Sequence, residues 1–303
     1  MCCEIFNAAT GSRLIKCSGM TIMEKLYDKN ISVSDNTTAG KILNYIGYDK
    51  KVLEVGCASG VQTKLLREVF RCHVTGVELN PSSAEKARCY CDNLIVGDIE
   101  LLSFDEIFSG KQFDVILLAD VLEHLRCPEA TLKKLAPLLM DENSYIIISV
   151  PNVVHASIVY NMMHGSFQYS EYGLLDDSHI KFFNRQGIVN LIRDSGFVVT
   201  SIKRVLCKPS DTEIKLDLKY LSDYRAMRYI LKSNSESLVY QYVIKAHKRD
   251  SADPLMACVD YAEDVCEMHM LSRSLIKKYS FVFFMFSAVL RRLKEAFKCA
   301  IMY

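Results

Sequence analysis

From residue 51 onward, short apolar runs alternate with stretches of helical spacing. KVLEV (51–55), HVTGVEL (73–79), NLIVG (93–97), FDVILLA (113–119) and SYIIISV (144–150) are largely continuous rather than alternating, the pattern of strands buried on both faces. Between them, VQTKLLREVF (61–70), SSAEKARCY (82–90) and PEATLKKLAPLL (128–139) carry helical spacing, the last opened by a proline suited to a first turn. Strands separated by such helices imply a parallel sheet covered on both faces. RQGIVNLIRDSGF (185–197) predicts a further helix ended by Gly196, followed by a strand at VVTSIKRVL (198–206). LVYQYVIKAHK (238–248) follows without a clear helical crossover, so it is expected to pair antiparallel with 198–206. The excursion 207–237 between them carries short helices such as YLSDYRAMRYIL (220–231).

The chain divides into three parts on this pattern: an N-terminal helical lid or substrate region (1–48), an α/β domain (49–250) and a C-terminal helical extension (251–303). Charged residues from 251 to 270 are all acidic, whereas from 271 onward seven basic residues face one acidic residue, Glu295. Among the basic residues lies YSFVFFMFSAVL (279–290). Twelve helical residues span about 18 Å, short of a hydrocarbon core of about 30 Å, so no transmembrane span is expected. The extension either lies in a membrane interface with its basic residues toward anionic lipid, or packs on the main domain or in a homodimer interface.

Composition narrows the function classes. The 303 residues carry a net charge of +1, which offers no broad field and no clear surface for nucleic acid. Twelve cysteines include no CxxC pair, and no signal-like segment opens the sequence, so reduced thiols and a cytoplasmic location are expected. An interfacial tail would place the protein at the inner face of the membrane.

Candidate chemistry begins at VLEVGCASG (52–60), where Gly56 and Gly60 bracket a turn that leaves backbone beside a ligand. The spacing fails for a pyrophosphate cradle, and the Lys-Ser/Thr ending of a triphosphate loop is missing. Three carboxylates then fall at the ends of three successive strands: Glu78 in VELN, Asp98 in VGDIE and Asp120 in LLADVLEHL. In open sheets ligands bind outside the carboxyl ends of the strands. An adenosine compound without phosphates suits this rim, since it offers hydroxyls and an amine and brings no anion to be repelled.

These stretches resemble the motifs of class I S-adenosylmethionine-dependent methyltransferases over roughly residues 25 to 248. LAPLLMDENSYIIISVPNVVH and GLLDDSHIKFFNRQGIVNLIRDSGF are similar to a bacterial subgroup associated with glycan and cell-surface polysaccharide assembly. The resemblance implies a Rossmann-like three-layer α/β sandwich, with a seven-stranded, mostly parallel sheet and an antiparallel last strand. It implies S-adenosyl-L-methionine as cofactor. Glu54 and the backbone at Gly56, Cys57 and Gly60 would face its methionine part, Glu78 with Leu79 the ribose, Asp98 with Ile99 the adenine, and Asp120 the methionyl end. Two positions depart from the family pattern. Ala58 stands where glycine is usual, which is tolerable if that residue keeps an ordinary φ, and DENS (141–144) replaces a glycine turn.

Methyl transfer to oxygen also needs a base for the acceptor's proton. His124 in DVLEHL and His179 in LLDDSHIKFF are the candidates, each with a plain alternative as a loop-pinning residue; His155 is a weaker third. Asp120, Glu123 and His124 are spaced i, i+3, i+4 and with His179 could ligate a metal. A similar pattern occurs in a metal-dependent branch that methylates ribose 2′-hydroxyls of small RNAs. With Asp120 one methylene shorter and no basic tract nearby, no resident metal is expected. The expected acceptor is a small-molecule or glycan substrate, a sugar or glycan-precursor hydroxyl that is lipid-linked if the tail meets a membrane. The alternatives are a quinone-type phenol and, least favoured, a non-enzymatic binding module. Tyr160, Phe167, Tyr169 and Tyr172 in the 157–177 segment either stack on a sugar ring or cover the core.

Overall fold

Buried apolar runs pair side by side and end at a common edge. The computed structural model describes residues 3–7, 12–16, 36–249 and helical positions within 268–289. In chain order the strands are β1 (Cys3–Asn7), β2 (Ser12–Lys16), β3 (Lys51–Val55), β4 (His73–Glu78), β5 (Asn93–Val96), β6 (Val115–Ala119), β7 (Tyr145–Pro151), β8 (Phe197–Leu206) and β9 (Val239–Lys248). The helices are α1 (Thr38–Ile46), α2 (Val61–Glu68), α3 (Pro81–Ala87), α4 (Phe104–Ile107), α5 (Pro128–Leu135), α6 (Ala156–Met163), α7 (Arg185–Asp194) and α8 (Leu221–Ser233). Strands β3 to β9 form one seven-stranded sheet in the order β5-β4-β3-β6-β7-β9-β8. Only β9 runs antiparallel to its neighbours β7 and β8, as the missing crossover before it predicts.

Side chains on β3, β6 and β7 alternate between two apolar layers. Leu53, Ile116 and Ile146 enter one cluster, while Val52, Val115 and Ile147 enter the other. The second layer is completed by Ile42, Leu43 and Ile46 of α1. Helix starts are set by local side chains: Thr37 accepts from the Gly40 N–H at 3.0 Å, Asn80 from Ser82 at 2.9 Å and Asn184 from Gly187 at 2.7 Å. Gly196 closes α7 with φ +91°, a conformation that costs glycine nothing. At Asp141–Ser144 the carboxylate accepts from the Asn143 N–H and the Ser144 hydroxyl, both at 2.9 Å, so an Asx-type turn does what glycine would.

The N-terminal region differs from the helical lid expected for 1–48. Residues 3–7 and 12–16 pair as antiparallel strands, since two five-residue runs are too short to hold helices. α1 is a covering layer of the sheet. Residues 26–30, expected to help build the acceptor pocket, and the acidic stretch 251–267 lie outside the described residues.

α6, α8 and the C-terminal helical positions share a third cluster, in which Tyr160, Met227, Leu231, Leu275 and Tyr279 are buried together. The β8–β9 pair is further fixed by Arg204, 3% exposed, whose Nε and Nη2 each donate to Glu236 at 3.1 Å. Glu236→Ala removes the carboxylate that neutralises this buried guanidinium. A loss of about 3 kcal/mol is expected in urea unfolding, and a loss within 0.5 kcal/mol (roughly the spread of inert surface changes) would contradict that account.

Candidate active site

Register brings the strand ends together. Val55 pairs with both Val77 and Leu118, Glu78 with Val96, and Ala119 with Ser149. Gly56, Glu78, Asp98 and Asp120 therefore stand within two residues of their strand ends, on the rim where open sheets bind ligands. Two shallow concavities elsewhere, one between Phe104 and Lys134 and one at the strands' amino ends near Lys51 and His73, carry no comparable convergence of groups.

The loop after β3 is pinned from both sides. Gly56 and Cys57 donate their N–H groups to Val77 O at 2.8 and 3.2 Å. Gly60 starts α2 with φ +81°, and a Cβ there would lie 2.8 Å from the Ala87 Cα, so α3 can approach only a glycine. Ala58 does not keep an ordinary φ: it sits at +48°, in the left-handed region. Such a conformation costs alanine on the order of 1–2 kcal/mol. Its N–H, aimed at Glu78 Oε2 at 2.8 Å, helps offset that strain.

Glu78 Oε1 accepts from the Asn80 N–H at 2.8 Å, so each carboxylate oxygen spends one lone pair on the protein and keeps another. A pair of ribose hydroxyls is the complement of what remains. Asp98, half-buried, accepts from the Glu100 N–H at 2.9 Å. Beside these two carboxylates Leu79 and Leu101 expose large apolar side chains. Polar oxygens flanked by bare apolar surface fit a nucleoside, whose base is flat and whose sugar is hydroxylated.

Other expected cofactor residues contribute differently. Ile99 turns its side chain into the core and Cys57 turns its sulfur inward beside Cys91 over Gly76, leaving only their backbone for a ligand. Glu54 is buried beneath the loop, where it accepts from Thr63 Oγ1 at 2.7 Å and Gln62 Nε2 at 3.5 Å. Burial pushes its carboxyl up to about 7 against those two hydrogen bonds.

Asp120, at φ +54°, lies on the floor of the cleft: its surface reaches solvent, while protein crowds it on every other side. Desolvation raises its carboxyl above the ordinary range, opposed by donation from Ser149 Oγ at 2.8 Å and from Gln241 Nε2. Gln241 on β9 and Thr38 at the start of α1, which donates to Gln241, complete this floor. Neither has a motif of its own, so neither is recognisable in the sequence.

The expected helical face of Asp120, Glu123 and His124 does not form. Only Leu122–His124 makes a 3₁₀ turn, and the left-handed Asp120 points toward β7 and β9. Glu123, His124 and His179 instead converge, with ligand-type atoms all within 4.8 Å of one another. The Glu123 carbonyl accepts from Ile180 and Lys181 at 2.9 and 3.0 Å, which clamps the His179 loop onto the 3₁₀ turn. Glu123 is fully buried, both its carboxylate oxygens lack a partner, and burial followed by the Asp120 charge raises its carboxyl far above the ordinary range. His179 is buried, and its Nδ1 also lacks a partner. Burial lowers its pKa, while its bond to the Leu174 backbone leaves Nδ1 as the bare lone pair. His124 is exposed, with Nδ1 3.3 Å from Ser178 O and 3.2 Å from Ser178 Oγ.

His155, the third histidine, is fully buried. It bonds to Ser157 Oγ at 2.8 Å and Cys207 O at 3.0 Å, and burial holds it neutral with a pKa of about 4. It fixes the start of α6 and does not face the rim cleft. Tyr160 is likewise core, donating to Asp217 O at 2.8 Å. Phe167, Tyr169 and Tyr172 are exposed, and Phe182, unforeseen in the sequence, joins Phe167 and Tyr169 at ring distances of 5.8 and 6.3 Å. Phe182 also lies 6.4 Å from the His179 ring. Gly173 lets this loop turn at φ +94° against Glu213, which accepts from the Leu174 N–H at 2.5 Å.

Residues 34–202 match the family described as "Methyltransferase domain". Among curated proteins, the chain is 28% identical over 141 residues to a ubiquinone biosynthesis O-methyltransferase of Coxiella burnetii, covering 41% of this chain and 57% of that one. The chain thus spans little more than half the length of that relative. It is 24% identical over 177 residues to the protein of the same name from Azoarcus, covering 54% and 75%. Among solved structures, a SAM-dependent methyltransferase from Archaeoglobus fulgidus matches with a TM-score of 0.50 and 20% identity over 69% of this chain and 90% of that one, a likeness of fold.

The Glu54 carboxyl makes stability depend on pH. Its folded-state pKa of about 7 exceeds the ordinary 4.5, so its contribution is complete below pH 4.5 and is lost as pH rises through 7. Between pH 5 and 8, urea unfolding of the wild type is expected to fall by up to about 3 kcal/mol relative to Glu54→Gln. Parallel pH profiles for the two proteins would show that Glu54 ionises freely.

Proposed function

Since this chain belongs to the methyltransferase-domain family, we propose that it moves a methyl group from S-adenosylmethionine to the phenolic hydroxyl of a quinone-type small molecule. The observation that carries the acceptor reading is the aromatic wall of Phe167, Tyr169 and Phe182 beside the two histidines. Exposed aromatic faces suit a flat, apolar ring. The names of the curated relatives support the same class. A sugar or glycan-precursor hydroxyl, the first expectation from the sequence, asks for hydrogen-bond partners around the ring; the segment exposes polar Gln168, Asp177 and Lys181 too, but its clustered rings are those of Phe167, Tyr169 and Phe182.

When bound, the cofactor supplies an electrophilic methyl group on a sulfonium. Glu78 would hold the ribose hydroxyls, Asp98 the adenine amine, and the 56–60 backbone with Asp120 the methionine portion. His124 takes the acceptor's proton. With Nδ1 3.3 Å from the Ser178 carbonyl, the tautomer protonated there would leave the Nε2 lone pair to accept it. The exposed aromatic side chains hold the acceptor ring and exclude water.

A second reading adds a divalent cation. Glu123 and His179 present buried lone pairs with no donor, and with the exposed His124 ring beside them the three ligand-type groups fit a hard or borderline metal ion. The cation would neutralise Glu123 and polarise the acceptor oxygen.

Two measurements test these readings. S-adenosylhomocysteine affinity is expected to weaken by about 2–4 kcal/mol in Glu78→Ala, because charge-assisted hydrogen bonds are worth ~1.5–3 kcal/mol each and are not strictly additive. Unchanged affinity in a folded variant would remove Glu78 from the site, and methylation of a sugar nucleotide but not of a catechol would overturn the acceptor. For the metal, millimolar Mn²⁺ should raise the melting temperature of the wild type and leave that of Glu123→Ala unmoved. No shift, with full activity after chelation, leaves His124 acting alone.

A further inference from the structure

The C-terminal helix presents two faces of different character. Met268, Leu275 and Tyr279 are buried, Leu275 and Tyr279 against Met227 and Leu231 of α8, and Ser272 Oγ donates to Leu231 O at 3.3 Å. These positions recur at helical spacing and account for one side of the helix. The other side holds Arg273, Lys277 and Lys278, all exposed, and then Phe281, Phe284, Met285 and Val289. Phe281 and Phe284 are 66% and 68% exposed, so the packing that fixes the first half of the helix does not cover them. In sequence the apolar stretch is followed by Arg291, Arg292, Lys294 and Lys298.

We propose that this helix is a membrane-interface anchor, whose Phe281, Phe284, Met285 and Val289 enter an anionic lipid surface while Lys277, Lys278 and the later basic residues pair with headgroups. Bare aromatic and aliphatic side chains bracketed by cations are the complement of a bilayer boundary with negative charge. Among the described residues no helix is long and apolar enough to cross a membrane, and the proposed anchor lies along the interface. A second copy is a poor occupant of the same face. A two-fold contact sets like patches together, and this stretch, 268–289, brings Arg273, Lys277 and Lys278 with no acidic residue to neutralise them. The helix grips α8 and, through the shared cluster, α6, which leaves the carboxyl end of β7 at the ligand-binding rim. Lipid attachment would therefore hold the acceptor side of the protein near the bilayer.

The test is co-sedimentation of the full chain with vesicles of phosphatidylcholine containing 30% phosphatidylglycerol, or of phosphatidylcholine alone, at low and high salt. Strong partitioning to the anionic vesicles, at least tenfold weaker on neutral ones or at high salt, is expected. Lys277→Glu with Lys278→Glu should erase the anionic preference, since each basic residue near a surface is worth about fivefold. Phe281→Ser with Phe284→Ser should lower partitioning at least tenfold while melting temperature and S-adenosylhomocysteine affinity stay unchanged, because both side chains are exposed. Wild type remaining in the supernatant with anionic vesicles overturns the proposal. So does a dimer in sedimentation analysis that the double serine variant dissolves.

Discussion

In-register parallel pairing of β5, β4, β3 and β6 is the constraint from which the site follows. Each ladder fixes the height of one strand against the next, so Glu78, Asp98 and Asp120 arrive at one edge although more than forty positions separate the first from the last. A slip of one residue would reverse every side chain on a strand. Glu54 would then leave its place under the loop, and an apolar side chain of the core would take it. Such a slip is opposed because it would take Glu54 from its Thr63 and Gln62 donors and bury it in the opposite apolar layer.

The same burial sets the electrostatics of the rim. Glu54 and Glu123 are buried and Asp120 is crowded by protein though its surface reaches solvent, and each carboxyl is raised above its ordinary range. They are tolerated to different degrees. Glu54 has a hydroxyl and an amide, Asp120 has Ser149 and Gln241, and Glu123 has no donor at all. The graded supply of donors separates a structural acid beneath the loop from a cleft-floor acid and from one whose oxygens await a partner. Unsatisfied buried groups are the places where a fold has kept room for chemistry.

Two accessory parts meet on the same support. The aromatic loop is fastened by Gly173, Glu213 and the Glu123 carbonyl, and the segment that carries it leaves from α6. The C-terminal helix rests on α8 and joins Tyr160 of α6 in one apolar cluster. The aromatic loop and the C-terminal helix are thus joined through the packed side chains of α6 and α8.

Much of this was legible from residue order. Because buried strands and amphipathic helices impose different spacings of apolar residues along the chain, periodicity located β3 to β9 and most of the intervening helices, though not α6, nor α4, whose four residues are too short to show theirs. The missing crossover before β9 gave its direction, and acidic residues at strand ends marked the rim, since a parallel core has no other use for them. What the sequence could not determine was everything set by contacts between distant segments. The left-handed Ala58 depends on Glu78, the turning of Asp120 away from Glu123 depends on Ser149 and Gln241, and the retirement of His155 and Tyr160 to the core depends on the 207–217 excursion. Local pattern records which face of an element is apolar. Only the folded chain decides which polar atoms find partners there, because those partners lie scores of residues away.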